Sequence, residues 1–493
     1  MKTDVIIIGG GLAGLAAAIT LQHGGASVLL LEKNNYLGGK MRPYQLGTHT
    51  FDYGPNTITM PHVFENIIAE TGRDPKDYGI TFKKLDVYTR NNFADGRHLD
   101  FTTSIEAMEE QLTALDPFAA QHYRSYILET KRLYELAEHA FLNNAFFSWK
   151  DMLSPTLTSS FLKVRPFESL AHFNTRYFKD QNVINAFHRY ATYIGSSPFK
   201  TPATFALIAY LELAKGVYYV NGGNTKIADA FTQVAKETGV QIQTGTKARK
   251  IHVENKVAKA VETEAGDVID CRHVLMNADL LHAYPELVNA EDRPTFSDQK
   301  VAHYPPSISA FVILAGLSKR LNGLLHHNVF FPKTYANEFA DLFDNSTYPQ
   351  QPAIYVSNSS VTDPSRSPDG DNLFILVNAP PLLSTTKTQD ELERYKQFIY
   401  KQLHDRGLPI HSHLVCEKII APKDLQNMTG AYHGAIYGMS SNRRQEAFFK
   451  PFNKAKDIQN LFFAGGSTFP GGGSPMVVRS GYNVAKAILH HRS

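Results

Sequence analysis

Val5 to Ile8 is an uninterrupted β-branched run, the pattern of a strand buried on both faces and so of a parallel sheet. Glycines end it at Gly9-Gly10-Gly11. The stretch from Leu15 to His23, rich in alanine and leucine, predicts a buried helix that Gly24-Gly25 stops. A second apolar strand, Val28 to Leu31, ends at Glu32. The chain therefore opens as strand, glycine turn, helix and strand, the start of an α/β fold. Similar strands return far downstream. Val240 to Lys250 reads as strand, turn and strand, and Val274-Leu275-Met276 runs into the small-residue turn Asn277-Ala278-Asp279. Ser309 to Leu317 reads as a buried strand. Leu461 to Ala464 opens into a loop with five glycines and two prolines between positions 465 and 475, and a helix is predicted from Pro475 toward Ile488.

The intervening chain turns helical. Thr103 and Glu106 form a capping box for a helix through Ala114. Asp116-Pro117 restarts a helix to about Leu142, with aspartate as N-cap and proline in the first position. The aromatics Phe141, Phe146, Phe147 and Trp149 follow, then Phe161 and Phe167 with Lys163 and Arg165 between them. Aromatics interleaved with basic residues suit a membrane-interface patch; ordinary core packing is the competing reading.

Composition narrows the function. At 493 residues the chain is long enough for two or three domains. Its 50 basic and 47 acidic residues leave a net charge of +3, which gives no support for nucleic-acid binding. Cys271 and Cys416 are the only cysteines and form no CxxC, which points to reduced thiols and a cytoplasmic setting. No run approaches the roughly 20 apolar residues of a membrane-spanning helix. The histidines form no H-x-x-x-H with an acid partner, so no metal site is expected.

The opening glycines match G-x-G-x-x-G in strand–turn–helix context, the signature of dinucleotide binding. Gly9 permits the tight turn, Gly11 lets backbone approach a pyrophosphate, and Gly14 lets helix and strand pack closely. Leu12 and Ala13 lie where the helix N-terminus offers free N–H groups to that phosphate. Glu32, with Lys33 beside it, is placed to accept hydrogen bonds from an adenosine ribose. A second G-x-G-x-x-G is missing, which argues against a disulfide reductase with its own nicotinamide domain.

After Glu32 the chain reads Asn34-Asn35-Tyr36-Leu37-Gly38-Gly39-Lys40-Met41, which resembles the extended dinucleotide motif of the amine oxidase and phytoene desaturase superfamily of flavoproteins. The resemblance implies FAD as cofactor, with Gly39, Lys40 and Met41 passing close to its pyrophosphate. Gly54-Pro55-Asn56-Thr57 resembles that superfamily's segment near the flavin, although a simple Gly-Pro turn would look the same. Ala248 matches a position whose backbone meets adenine, and Asn277 and Ala278 match another cofactor segment. Gly465, Gly466, Ser467, Gly473, Pro475, Met476 and Val477 fall in a C-terminal block similar to that of bacterial carotenoid desaturases and oxygenases. Tyr193-Ile194-Gly195-Ser196-Ser197 and Gly434-Ala435-Ile436-Tyr437-Gly438 fit the same family.

This resemblance implies a Rossmann-type FAD domain built from residues 1–75, 216–295 and 452–493. A mixed-sheet substrate domain would take 76–103 and 296–451, and a helical insert, 104–215, would be able to touch a membrane. The implied substrate is a long apolar carotenoid, with oxygen or a quinone reoxidising the flavin at the inner face of the cell membrane. Within the family the motifs lean toward oxidation of a terminal methyl of a C30 carotenoid; desaturation is the alternative. Amine or protoporphyrinogen oxidase chemistry and a prenyl-lipid escort role also share the fold. Arg479 departs from the desaturase pattern. Hydride abstraction needs positioning more than proton transfer, and no catalytic residue is assigned; Tyr432, His433 and Tyr437 are candidates against a packing role.

Overall fold

The computed structural model describes residues 3–383 and 386–490. Strand Thr3–Ile8 pairs in parallel with Val28–Leu31 on one side and with Val268–Met276 on the other. Gln241–Gln243 extends the first side and Leu461–Phe463 the second, both in parallel. The start of Val268–Met276 instead pairs antiparallel with the hairpin Ala248–Glu254 and Val257–Thr263. One seven-stranded sheet thus draws on three distant parts of the chain. Val5, Ile6 and Ile7 are fully buried, as an unbroken β-branched run requires when both faces are covered.

The first helix, Leu12–His23, is buried from Leu12 through Leu21 because it lies between this sheet and the C-terminal helix Ser474–His490. The two helices meet closely. A Cβ on Gly481 would stand 2.1 Å from the Ala13 carbonyl oxygen, so only glycine fits at the crossing.

The second seven-stranded sheet has the order Leu414–Ile420, Ser309–Leu317, Asn372–Ala379, Ile354–Asn358, His327–Phe330, Val87–Asn92, His98–Thr102. It is antiparallel except for one parallel pair, His327–Phe330 with Val87–Asn92. Ser309–Leu317 is buried at every position, as its apolar run predicts.

In the helical stretch, Pro117–Ala137 follows Asp116, whose carboxylate accepts from the Ala119 N–H at 3.0 Å; a π-helical turn carries the chain on to Leu142. The preceding helix, Ile105–Leu115, is capped by Ser104 and not by Thr103. Ser104 Oγ accepts from the Ala107 N–H at 3.2 Å, which puts Glu106 one residue too early for a capping box. The aromatic expectation is corrected in part. Phe146 is 2% exposed and packs on Phe469, ring centroids 4.9 Å apart, while Phe147 packs on Phe462. Phe146 is buried beneath the C-terminal glycine loop, and Phe147 is half-buried against the strand Leu461–Phe463. Trp149, Leu153, Leu162 and Phe167 are exposed. No helix among the described residues is long and apolar enough to cross a membrane.

Candidate functional site

A cavity of about 680 Å³ opens at the carboxyl ends of the first sheet's parallel strands, the place where α/β sheets bind ligands. It brings together Gly9, Gly11, Leu12, Ala13, Glu32, Lys33, Gly39, Lys40, Met41, Gly54, Pro55, Ala248, Asn277, Ala278, Gly465, Gly466, Ser467, Gly473 and Val477. Gly14 is not in its wall. A Cβ there would lie 2.1 Å from the Gly9 carbonyl oxygen, so Gly14 lets helix and turn close on each other. Asn56, Thr57, Pro475 and Met476 line a second, adjoining cavity instead.

The first cavity fits a dinucleotide. The helix Leu12–His23 starts at Gly11 with no side-chain cap, leaving its first N–H groups to a ligand. Gly9, with φ +104°, hands its carbonyl to Asn277 Nδ2 at 2.9 Å. A Cβ on Gly39 would come within 3.0 Å of Gly11 Cα, so two bare backbones form the cradle. Glu32 is buried, with Oε2 accepting from the Gly10 N–H and Oε1 from the Asn34 N–H, each at 2.8 Å. The carboxylate is thereby fixed, with acceptor capacity left for a ribose. Lys40 Nζ donates to the carbonyls of Ile436 at 2.7 Å and Ala435 at 3.4 Å, leaving one N–H for the cavity. Burial holds its ammonium below the usual lysine range, and Asp279 opposes that shift.

The second cavity, about 310 Å³, shares Gly54, Pro55, Phe374, Leu376, Ile436, Tyr437 and Gly472 to Ser474 with the first. The helix Ser474–His490 begins at this shared wall with no acidic residue in its first turn, so its positive dipole end faces the junction. Much of the second cavity is apolar, including Phe205, Leu207, Ile208, Leu211, Ile308 and Val329. Against that lining stand Arg189, Glu212, Tyr193, Tyr335 and Lys450. Burial pushes the Glu212 carboxyl up, opposed by Arg189. Burial also brings Lys450 down to about 8, opposed by Glu446, and pushes Tyr437 up to about 12.

The sequence reading missed these polar groups. Their signal was a lone acid inside Leu207-Ile208-Ala209-Tyr210-Leu211-Glu212-Leu213, and a lone arginine after Ala186-Phe187-His188. Of the three candidate side chains, only Tyr437 reaches the cavities. Tyr432 Oη donates to the Val301 carbonyl, and His433 Nδ1 pairs with the Leu382 carbonyl.

The flavin containing amine oxidoreductase family model matches residues 12–489. The chain belongs to that family. This flavin-containing oxidoreductase is 30% identical over 494 residues to the 4,4'-diaponeurosporene oxygenase of Staphylococcus haemolyticus, covering 99% of this chain and 97% of the relative. It is 30% identical to the 4,4'-diapolycopene oxygenase of a Methylomonas species, covering 98% of each. It is 31% identical to the carotenoid 3,4-desaturase of Haloarcula japonica, covering 99% of this chain and 98% of the relative. Among solved structures, a triple mutant of putrescine oxidase matches with TM-score 0.65 and 14% identity, covering 100% of this chain and 99% of that one. An oxidoreductase from Methanosarcina mazei matches with TM-score 0.62 and 16% identity, covering 98% and 100%. At those identities the structures share the fold. The oxidoreductase uses FAD, and the residues lining the first cavity fit it.

Proposed function

We propose that this flavoenzyme oxidises a long apolar carotenoid, and that its reaction is oxidation of a terminal methyl group of a C30 polyene. The observation that carries the reading is the second cavity, apolar over much of its wall and meeting the cofactor cavity at Tyr437, Phe374 and Leu376. A hydrocarbon end held there is shielded from water and set against the cofactor. Bound FAD supplies the hydride acceptor. The chain's own part is positioning: the apolar lining orients the end, and the Ser474–His490 helix N-terminus favours negative charge on the cofactor side.

The diaponeurosporene and diapolycopene oxygenases among the relatives support terminal oxidation. The carotenoid 3,4-desaturase relative favours a second reading, desaturation of the same kind of chain. Oxygen or a quinone then takes the electrons. A polyene of this kind dissolves in the bilayer, and the exposed Trp149, Leu153, Leu162 and Phe167 support peripheral contact with the inner face of the cell membrane. Expression in cells that accumulate diaponeurosporene tests the reading: the pigment should be consumed with the natural chain and persist with Gly11→Val, which lacks cofactor. Persistence with both would overturn it.

A further inference from the structure

One wall of the second cavity is wrong for a hydrocarbon. Arg189 and Glu212 are 7% and 0% exposed and both face the cavity. Arg189 Nη2 donates to Tyr193 Oη at 3.1 Å, but its Nε has no hydrogen-bond partner among the described residues. The Tyr190 and Tyr193 hydroxyls lie close to the Glu212 carboxyl, but neither of its oxygens has a partner at full hydrogen-bond geometry, and nor does the Tyr335 hydroxyl, which lines the same cavity. Close by, His327 Nδ1 pairs with Tyr355 Oη at 2.8 Å, and its Nε2 has no partner among the described residues. Buried polar groups are nearly always satisfied, and a cluster of orphans in a cavity wall is costly unless a guest meets it. An alkyl end offers neither donor nor acceptor.

We infer that the Arg189–Glu212–Tyr335 wall binds an oxygen-bearing end of the polyene, an alcohol or an aldehyde. A carbonyl oxygen accepts from the Arg189 and Tyr335 donors. A hydroxyl does the same and donates its own hydrogen to a Glu212 oxygen. The enzyme therefore discriminates between chain ends by oxygen, and an oxygenated intermediate or product is held more firmly than the hydrocarbon that precedes it. A site built to hydrogen-bond an oxygen rejects the analogue lacking it, because its own buried groups are then left unpaired.

The inference rests on the second cavity receiving an apolar chain, and the test separates the two. Flavin absorbance of the purified FAD-loaded enzyme is titrated with detergent-dispersed diaponeurosporene and with the same polyene carrying a terminal primary hydroxyl or aldehyde. The natural chain should bind the oxygenated ends at least about tenfold more tightly, as expected for a lost set of buried hydrogen bonds. The double substitution Arg189→Leu with Glu212→Leu should erase that preference while hydrocarbon binding persists. Tyr335→Phe, which removes one unpartnered hydroxyl and no charge, should narrow it even if the double variant fails to fold. Equal binding of all three ends by the natural chain, or an undiminished preference in Tyr335→Phe, overturns this inference while sparing the carotenoid reading. Binding of none of the three overturns both.

Discussion

Gly11 and Gly481 are glycines for different reasons, and substitution should separate them. A Cβ on Gly11 would sit 3.2 Å from Asn277 Nδ2 at the mouth of the cofactor cradle. Gly11→Val fills that space with branched methyls, so it should purify folded but without the visible flavin band. Gly481→Ala drives a methyl into the Ala13 carbonyl oxygen. It should cost about 2–3 kcal/mol in a denaturant titration, as overpacking does, and it leaves Gly11 and Gly39 as glycines. Lys450 makes a prediction in pH. Its folded pKa is about 8 through burial, against roughly 10.4 for an unfolded lysine. Below pH 8 both states hold the proton, so the burial cost, about 3 kcal/mol, is fully present. Between about 8 and 10.4 the unfolded chain binds a proton that the folded chain has lost, so stability rises with pH. Lys450→Met should therefore stabilise the protein at pH 7 and lose most of that advantage near pH 10. An equal gain at both pH values would refute the shift.

At the scale of elements, legibility followed burial on both faces. Val5 to Ile8 and Ser309 to Leu317 were readable because central strands buried on both faces carry such runs, and Leu461 to Phe463 because it is buried although it pairs with one strand only. The glycine turn was readable because φ/ψ and close approach restrict its chemistry. Cap positions were less so: Thr103 and Ser104 are both capable N-caps, and only the geometry selects Ser104. Arg189 and Glu212 were invisible for another reason. They sit on separate short helical segments and meet only through tertiary packing, so no spacing encodes the pair. Phe146 and Trp149 lie three residues apart with opposite fates, since a loop from the far end of the chain covers only the first. The insert's exposed face gives the next prediction. Trp149→Ser, Leu162→Ser and Phe167→Ser together should leave FAD content unchanged and weaken co-sedimentation with anionic liposomes, because surface substitutions rarely cost fold stability. Phe146→Asp should instead destabilise the chain by burying a charge. Undiminished liposome binding by the triple variant would end the membrane claim.

Across the whole molecule the two sheets cooperate at one point. Ala310, Val312, Phe374 and Leu376 of the second sheet complete the wall of the cofactor cavity that the first sheet opens. Phe374 and Leu376 also line the second cavity, so neither sheet alone makes the proposed site. What the joined site does to a polyene is decided by atom balance. Desaturation removes two hydrogens from adjacent carbons and adds nothing. Conversion of a methyl to an aldehyde removes two hydrogens and adds one oxygen, drawn from water or dioxygen, in successive two-electron steps through an alcohol. Cells making diaponeurosporene should therefore yield a pigment heavier by about 14 mass units, with an alcohol intermediate heavier by about 16, since the cofactor's chemistry fixes which atoms are exchanged. Labelled water and labelled dioxygen, supplied in turn, would show which provides the oxygen. The Arg189–Glu212 wall adds a directional expectation, because a chain whose end already carries oxygen gains hydrogen bonds there and stays for the next step. Loss of that wall should shift the product ratio from aldehyde toward alcohol without changing FAD content. Products lighter by pairs of hydrogens, with no oxygenated pigment, would turn the reading to desaturation while leaving the flavin cradle and the apolar cavity as they are.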